Sequence, residues 1–495
     1  MLYWDKLLCS KTETDRSKKV KNDSRTSFQS DYSRIVFSTP FRRLQDKAQV
    51  FPLEQNDFVR TRLTHSLEVA AISKSIGISI QEELIKKEVL NENQRGIIPD
   101  ILECAGLAHD LGNPPFGHFG EVTLQRKFDE FLKKEINTNL SEVEKKDFTN
   151  FDGNCQTIRI LTRLQCIKDL CGYHMTYATL ATLMKYPMNS IEGNKKDKKV
   201  WHKKFGYFQS EKDIAEDILK ETGLYIEEGN AYRHPLAFIL EAADDIAYSA
   251  ADIEDGFKKK AISFRNIIEV FTDKQKEIEN SNEEIEKDRI KEIGTVLEEI
   301  YGLEKEKEYL SDEKRIQMLR ILLQGKMISS VVDTFLENYE SIMSGKFNNE
   351  ILLESKSKYI RLCLKEIAGK FILSNNEVQK TELAGESIIE YLADYFLTAL
   401  SDDKFQNYIK NKYSNNNLNN KLDGRIERVY NLISSDYRKI YEVSVEETMN
   451  KNYEINEKNK TILYYTYILV TDYISCMTDN YSVSLYKKLK GITIN

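Results

Sequence analysis

The stretch Ala105-Gly-Leu-Ala-His109-Asp110-Leu-Gly-Asn-Pro114-Pro115-Phe-Gly-His118-Phe-Gly-Glu121 crowds two imidazoles and two carboxylates into one short segment. Upstream, Ile101, Leu102, Ala105 and Ala108 recur at helical spacing. This predicts a buried helix with His109 and Asp110 on its last turn. Gly112 reads as the helix stop, and Pro114-Pro115 forbids continuation. His118 then falls in a tight loop, with Glu121 in the first turn of the next helix. Adjacent side chains on a helix diverge by about 100°. His109 and Asp110 can therefore share an ion only over the helix end, with other helices supplying further ligands. A capping aspartate beside a core histidine explains the isolated pair as well, so those partners decide the matter.

Two stretches supply them. In Arg60-Thr-Arg62-Leu-Thr-His65-Ser, His65 continues into Val69, Ile72 and Ile76 and so sits on the apolar face near a helix start. A histidine there needs a polar partner inside the protein, and a metal is one such partner. In His234-Pro235 to Gly256, Pro235 suits a first helical position and Gly256 a stop. Asp244, Tyr248 and Asp252 follow one another at i, i+4 and i+8 along a stripe of small residues. Asp245 points about 100° away, so the stripe favours Asp244 as the inward ligand. His65, His109, Asp110 and Asp244 together make a mixed nitrogen and oxygen site for a divalent cation. Mn²⁺ and Mg²⁺ are the first choices, and Fe²⁺ and Zn²⁺ fit the same donors. Such an ion activates water and polarises a phosphoryl group. His118 lies too far along the chain to be an obvious ligand. Glu121 can orient its imidazole and favour the protonated form, which casts His118 as general acid and Glu121 as its orienter.

Composition sets the bounds. A chain of 495 residues can bury one large or two medium cores. Its net charge of −7 carries no basic signature of a nucleic-acid binder. Seven cysteines without a C-x-x-C pair read as reduced thiols of a cytoplasmic protein. Met1-Leu-Tyr-Trp-Asp-Lys lacks a signal-peptide core, and no apolar run reaches membrane-spanning length. Residues 1–30, polar from residue 11 onward, are expected to form a mobile N-terminal arm. Helices are expected over 65–91, 98–111, 120–136, 153–170 and 175–186, with 137–150 a surface excursion. Cys155, Cys166, Cys171 and His174 match no zinc spacing and are read as structural. Arg60 and Arg62, just before His65, suit either an anionic substrate or salt bridges to Glu54 and Asp57. Residues 223–233 alternate about a Gly-Asn pair and predict a hairpin. All seven prolines lie at or before residue 235, so the remainder is free to form long helices. The charged span 273–315 is read as exposed helices suited to a subunit contact, and 414–420 as a loop. Neither a P-loop nor a G-x-G-x-x-G element is present, so a nucleotide would be held by side chains and metal. The expected fold is all-α, with a helical core over 31–260, a small β-hairpin, and a helical C-terminal region over 261–495 packed on the core.

The order His65, His109-Asp110 and a helical Asp244 resembles the HD-domain metal phosphohydrolases. A closer set is similar to the deoxyguanosine triphosphate triphosphohydrolase family. It comprises the segment 34–51, Arg62-Leu-Thr-His65-Ser, His109 to His118, Glu241-Ala-Ala-Asp-Asp-Ile, and Tyr473-Ile-Ser-Cys-Met-Thr-Asp-Asn-Tyr481. One departure is Ala48, where the family usually carries threonine, a change that leaves the chemistry intact. The resemblance implies that water attacks the α-phosphorus of a deoxynucleoside triphosphate, dGTP foremost, releasing deoxynucleoside and triphosphate. It assigns Gln49 and Asp252 to the sugar 3′-hydroxyl, and Tyr248 to phosphate or a place beside the sugar. Arg62, Lys185 and Tyr186 would face the triphosphate, with Lys204 nearby. It further implies a homo-oligomer, a hexamer among its forms, with single-stranded DNA as a candidate regulator. An HD phosphatase acting on another nucleotide and a non-catalytic nucleotide sensor are the rival readings; a sensor has no need of a general acid.

Overall fold

Three helices meet over one point, and the rest of the molecule holds them there. The computed structural model describes residues 1–14, 23–53, 58–134, 140–165, 172–193, 200–228, 230–280, 287–414 and 422–492. The first of the three helices, Arg62–Lys86, starts with a reciprocal cap between Thr61 and Thr64 and buries Val69, Ile72, Ile76 and Ile80 on one face. That face packs along the second, Ile97–Ala108, which is apolar almost throughout. The third, Pro235–Lys258, lies against both. Its entry is fixed by His234, whose Nδ1 accepts from Leu236 N at 3.1 Å while Nε2 donates to Leu7 O at 3.1 Å. Burial pushes this imidazole down to about 4, so it stays neutral and keeps one tautomer.

The proline-free C-terminal part is helical, as its composition demands. Asp312–Glu337 covers Pro235–Lys258 and Arg62–Lys86, and Asn376–Leu400 packs on His118–Lys134. Ile455–Ser475 and Asp479–Leu489 complete this side. Its seam with the N-terminal half contains a buried ionic cluster. Arg159 reaches Asp472 at 2.7 Å and Glu211 at 2.6 Å, with all three side chains nearly inaccessible. Beside it, Tyr464 donates to the buried Asp147 at 2.7 Å. The one sheet among the described residues pairs Tyr225–Glu227 antiparallel with Asn230–Ala231. Among the described residues no helix is long and apolar enough to cross a membrane.

Several expectations need correction. The arm expected over 1–30 is anchored: Trp4 and Leu7 are buried, the Lys11 and Cys9 carbonyls accept from Tyr177 N and Ala178 N, and a helix begins at Ser27. Residues 15–22 lie outside the described residues. The span 137–150 contains a helix, Glu142–Thr149, whose Asp147 and Phe148 are buried. Gly256 does not end its helix, which runs to Lys258; a Cβ there would come within 2.7 Å of Ile372. Gly112 likewise serves contact: its Cβ would stand 2.2 Å from Gly153 O. In both cases a missing side chain was read as a stop when it marks a close approach. Over 273–315 most of the described charged residues are exposed, as expected of exposed helices, while Ile278, Ile293, Val296 and Ile300 are buried. Glu54 and Asp57, Cys166 and Cys171, and 415–420 of the expected loop lie outside the described residues.

Candidate active site

His65 stands one turn into the first helix, His109 caps the second, and Asp244 lies midway along the third. Their ligand-bearing atoms all lie within 4.8 Å of one another. His65 Nε2 is 3.0 Å and His109 Nε2 is 3.6 Å from the same Asp244 Oδ1. The two imidazoles meet edge to face with centroids 5.4 Å apart. His109 Nδ1 donates to Gly106 O at 2.8 Å, which turns Nε2 toward the cluster. Buried, that Nε2 has no hydrogen-bond partner among the described residues. Burial would lower the basicity of His109, yet Asp110 and Asp244 outweigh it and lift the ring to about 9. Burial also opposes ionisation of Asp244, but the two histidines hold it well below the usual carboxylate range. A positive charge is therefore welcome at this point, and two imidazole nitrogens with a carboxylate oxygen suit a divalent cation. Asp245, one residue on, turns away to Arg361 at 2.8 Å.

Asp110 Oδ1 lies 3.5 Å from His109 Nε2, beside the trio. Its carboxylate is held by Arg62 Nη1 at 2.6 Å and by Asn113 Nδ2. Arg62 thus joins the ligand helix to the turn after His109. Arg60 faces elsewhere and is structural, bonded to Glu68, Glu254 and Asp255. After Pro115 the chain makes a sharp reversal. Phe116 and Gly117 both have positive φ, 61° and 58°. For phenylalanine this costs about 1–2 kcal/mol, so its surroundings must impose it. His118 then opens the helix His118–Lys134 instead of lying in the preceding loop. Its side chain is 71% exposed, and Nδ1 donates to Glu121 Oε2 at 3.1 Å. Gly153 N holds the other oxygen of Glu121 at 2.8 Å. The imidazole is thereby aimed while its Nε2 edge stays accessible.

Arg62, His109, Asp110, His118, Lys185 and Asp244 line one cavity of ≈ 220 Å³, with Lys204 on its wall. Lys185 pairs with the buried Glu241 at 2.8 Å, and Arg233 holds the second oxygen of Glu241 at 2.7 Å. Burial opposes the charge on Lys185, and Glu241 more than restores it. Lys204 pairs with buried Asp152, which likewise raises its basicity against burial. Tyr186 is buried, its ring 5.7 Å from Lys185 Nζ. Tyr248 lies one helical turn before the buried Asp252 on Pro235–Lys258. Gln49 is half-buried. Gln49 Oε1 and Asp252 Oδ2 are buried acceptors without a hydrogen-bond partner among the described residues.

Some participants escaped the sequence reading. Lys47 Nζ donates to Asn113 O and Ser475 O, and Asp479 accepts from the backbone of Ala48 and Phe116. Their partners are main-chain atoms, which leave no residue-type signal; only the segments 34–51 and 473–481 point to the region.

Residues 62–176 match the HD domain. The chain is 36% identical, over 99% of its length and 100% of the relative, to a deoxyguanosinetriphosphate triphosphohydrolase-like protein of Listeria monocytogenes. It is 31% identical over the full length of both chains to a like-named protein of Synechocystis. With the deoxyguanosinetriphosphate triphosphohydrolase of Yersinia enterocolitica it shares 30% identity over 93% of each.

Proposed function

The chain belongs to the deoxyguanosine triphosphate triphosphohydrolase family of HD-domain phosphohydrolases, and on that premise we propose that it hydrolyses deoxynucleoside triphosphates, dGTP foremost, to deoxynucleoside and triphosphate. One observation carries the reading: the His65–His109–Asp244 triangle shares a cavity with Arg62, Lys185 and Lys204. Metal donors beside fixed cations suit a polyanionic phosphoester. A divalent cation, Mn²⁺ or Mg²⁺, held by His65, His109, Asp110 and Asp244 would supply Lewis-acid activation of water and of the phosphoryl group.

The residues of the chain do the remainder. Arg62, Lys185 and Lys204 take the charge of the triphosphate, with Tyr186 beside Lys185. Oxygen from water joins the α-phosphorus and the bond to the 5′-oxygen breaks. His118, aimed by Glu121, protonates the departing 5′-oxygen and regains its proton from solvent. The unpartnered Gln49 Oε1 can accept from a hydroxyl, and Asp252, which burial pushes well above the usual carboxylate range, can donate to the same oxygen, which supports their assignment to the sugar 3′-hydroxyl, with Tyr248 beside the sugar.

Incubation of purified protein with each dNTP and Mn²⁺, with chromatographic identification of products, tests the reading. Deoxynucleoside and intact triphosphate are expected, fastest from dGTP. Orthophosphate or pyrophosphate as product would instead make the protein an HD phosphatase of another kind. Tight binding without turnover, unchanged by His118→Ala, would make it a sensor.

A further inference from the structure

We propose that Asp479 is a positioning residue, whose carboxylate sets the spacing between the segment ending in Gln49 and the reversal that delivers His118. Asp479 opens the helix Asp479–Leu489, a place where a carboxylate ordinarily bonds its own helix's free N–H groups. Here Thr478 does the capping, accepting from Tyr481 N at 3.3 Å. Asp479 reaches outward instead. Oδ2 accepts from Ala48 N at 2.9 Å and Oδ1 from Phe116 N at 3.0 Å, while the residue is only 2% exposed. One carboxylate thus ties two segments that never meet along the chain, one residue before Gln49 and two before His118.

A second link of opposite polarity runs parallel. Lys47 Nζ donates to Asn113 O at 2.5 Å and to Ser475 O at 2.9 Å. Phe116 is also held from its ring side: a Cβ on Gly385 of Asn376–Leu400 would stand 2.5 Å from that ring. The left-handed backbone of Phe116, strained for a non-glycine, is therefore fixed by its N–H and by its side chain, both from the C-terminal half. Burying a carboxylate opposes its ionisation, and Asp479 is indeed pushed upward by burial against the two N–H donors. An apolar contact would fill the same space without that cost. What only a carboxylate provides is two acceptors at a fixed separation.

The inference rests on the reading of His118 as general acid, and the test separates the two. Asp479→Asn keeps the shape but has one acceptor oxygen in place of two. With dNTP, kcat is expected to fall about 10–100-fold, on the scale of misplacing a catalytic group. Mn²⁺ affinity should change little, and KM should rise as the Gln49 contact to the sugar loosens. With p-nitrophenyl triphosphate, whose leaving oxygen needs no proton, the fall should be under about threefold, because positioned proton transfer adds little there. Hydrogen exchange read by mass spectrometry should quicken together in peptides covering 44–50 and 112–121. Gly385→Ala, which pushes on Phe116 from the other side, should reproduce the leaving-group contrast and stands in if the Asn variant fails to fold. Equal losses on both substrates, unchanged dNTP turnover, or loosening of one segment alone would overturn the proposal. If His118→Ala shows no leaving-group contrast, the general-acid reading fails, and the exchange data alone decide whether Asp479 couples the two segments.

Discussion

Between residues 47 and 252 the chain carries the candidate ligands, the candidate acid and the cationic wall. Between residues 464 and 480 it contributes none of these, yet its Asp472, Ser475 and Asp479 bond into the first region at buried points. The first region bonds through side chains to one another and toward an open cavity. The second bonds mostly to backbone atoms or to charges sealed from water. The contrast separates two jobs, supplying reactive groups and fixing the frame that aims them. Substitutions in the two regions should fail in different ways.

The largest effect is expected at the ligand triangle. Asp244→Ala should abolish Mn²⁺ binding and reduce turnover roughly 10³-fold or more, as for a group acting within one catalytic unit. Asp245→Ala, its neighbour bonded to Arg361, should retain Mn²⁺ binding. Titration of Mn²⁺ followed by electron paramagnetic resonance distinguishes them, and equal loss in both variants would undo the assignment. Next comes His118→Ala, for which kcat on dNTP should drop about 10²–10⁴-fold at unaltered Mn²⁺ affinity.

In the frame the currency changes from rate to stability. Arg159→Met strands Asp472 and Glu211, both sealed in the seam, and should cost about 3–5 kcal/mol of unfolding free energy in urea. A single steep transition would mean that the two regions unfold as one unit. Two separate transitions would show the frame to be a domain in its own right. The smallest effect concerns Asp147, whose carboxyl is pushed up to about 7 by burial against its hydrogen bonds from Gln209 N and Tyr464. In the unfolded chain it loses its proton near pH 3.8, whereas the folded chain keeps it until about 7. The folded state then binds more protons, so this group's contribution to stability falls as pH rises from about 4 to about 7. Asp147→Asn should flatten the melting temperature across that window, and an unchanged slope would show that the group does not control it.

What could be read beforehand follows the same division. His65, Asp244 and the His109–Asp110 pair announce themselves because helical spacing places a polar group on an apolar face, and that mismatch is local in sequence. The all-α fold was legible because proline vanishes after residue 235. Gly112 and Gly256 were misread, since a glycine demanded by a neighbour's backbone looks the same in sequence as one demanded by a turn. Trp4 and Leu7 were lost within a polar arm because their burial depends on segments far along the chain. Asp479 could not be assigned a task at all: its partners are two N–H groups, and every residue but proline has one.

The seat that Gly385 offers to the Phe116 ring bears on biosynthesis. A ribosome completes every candidate metal ligand once residue 244 has been made, but the helix that receives Phe116 is still unmade, and Asp479 is made later still. Until then the N–H and the ring of Phe116 lack the two partners that fix its left-handed backbone. Hydrolytic competence should accordingly appear only once residue 479 has left the ribosome, leaving a shorter nascent chain that already owns its candidate ligands unable to consume nucleotides.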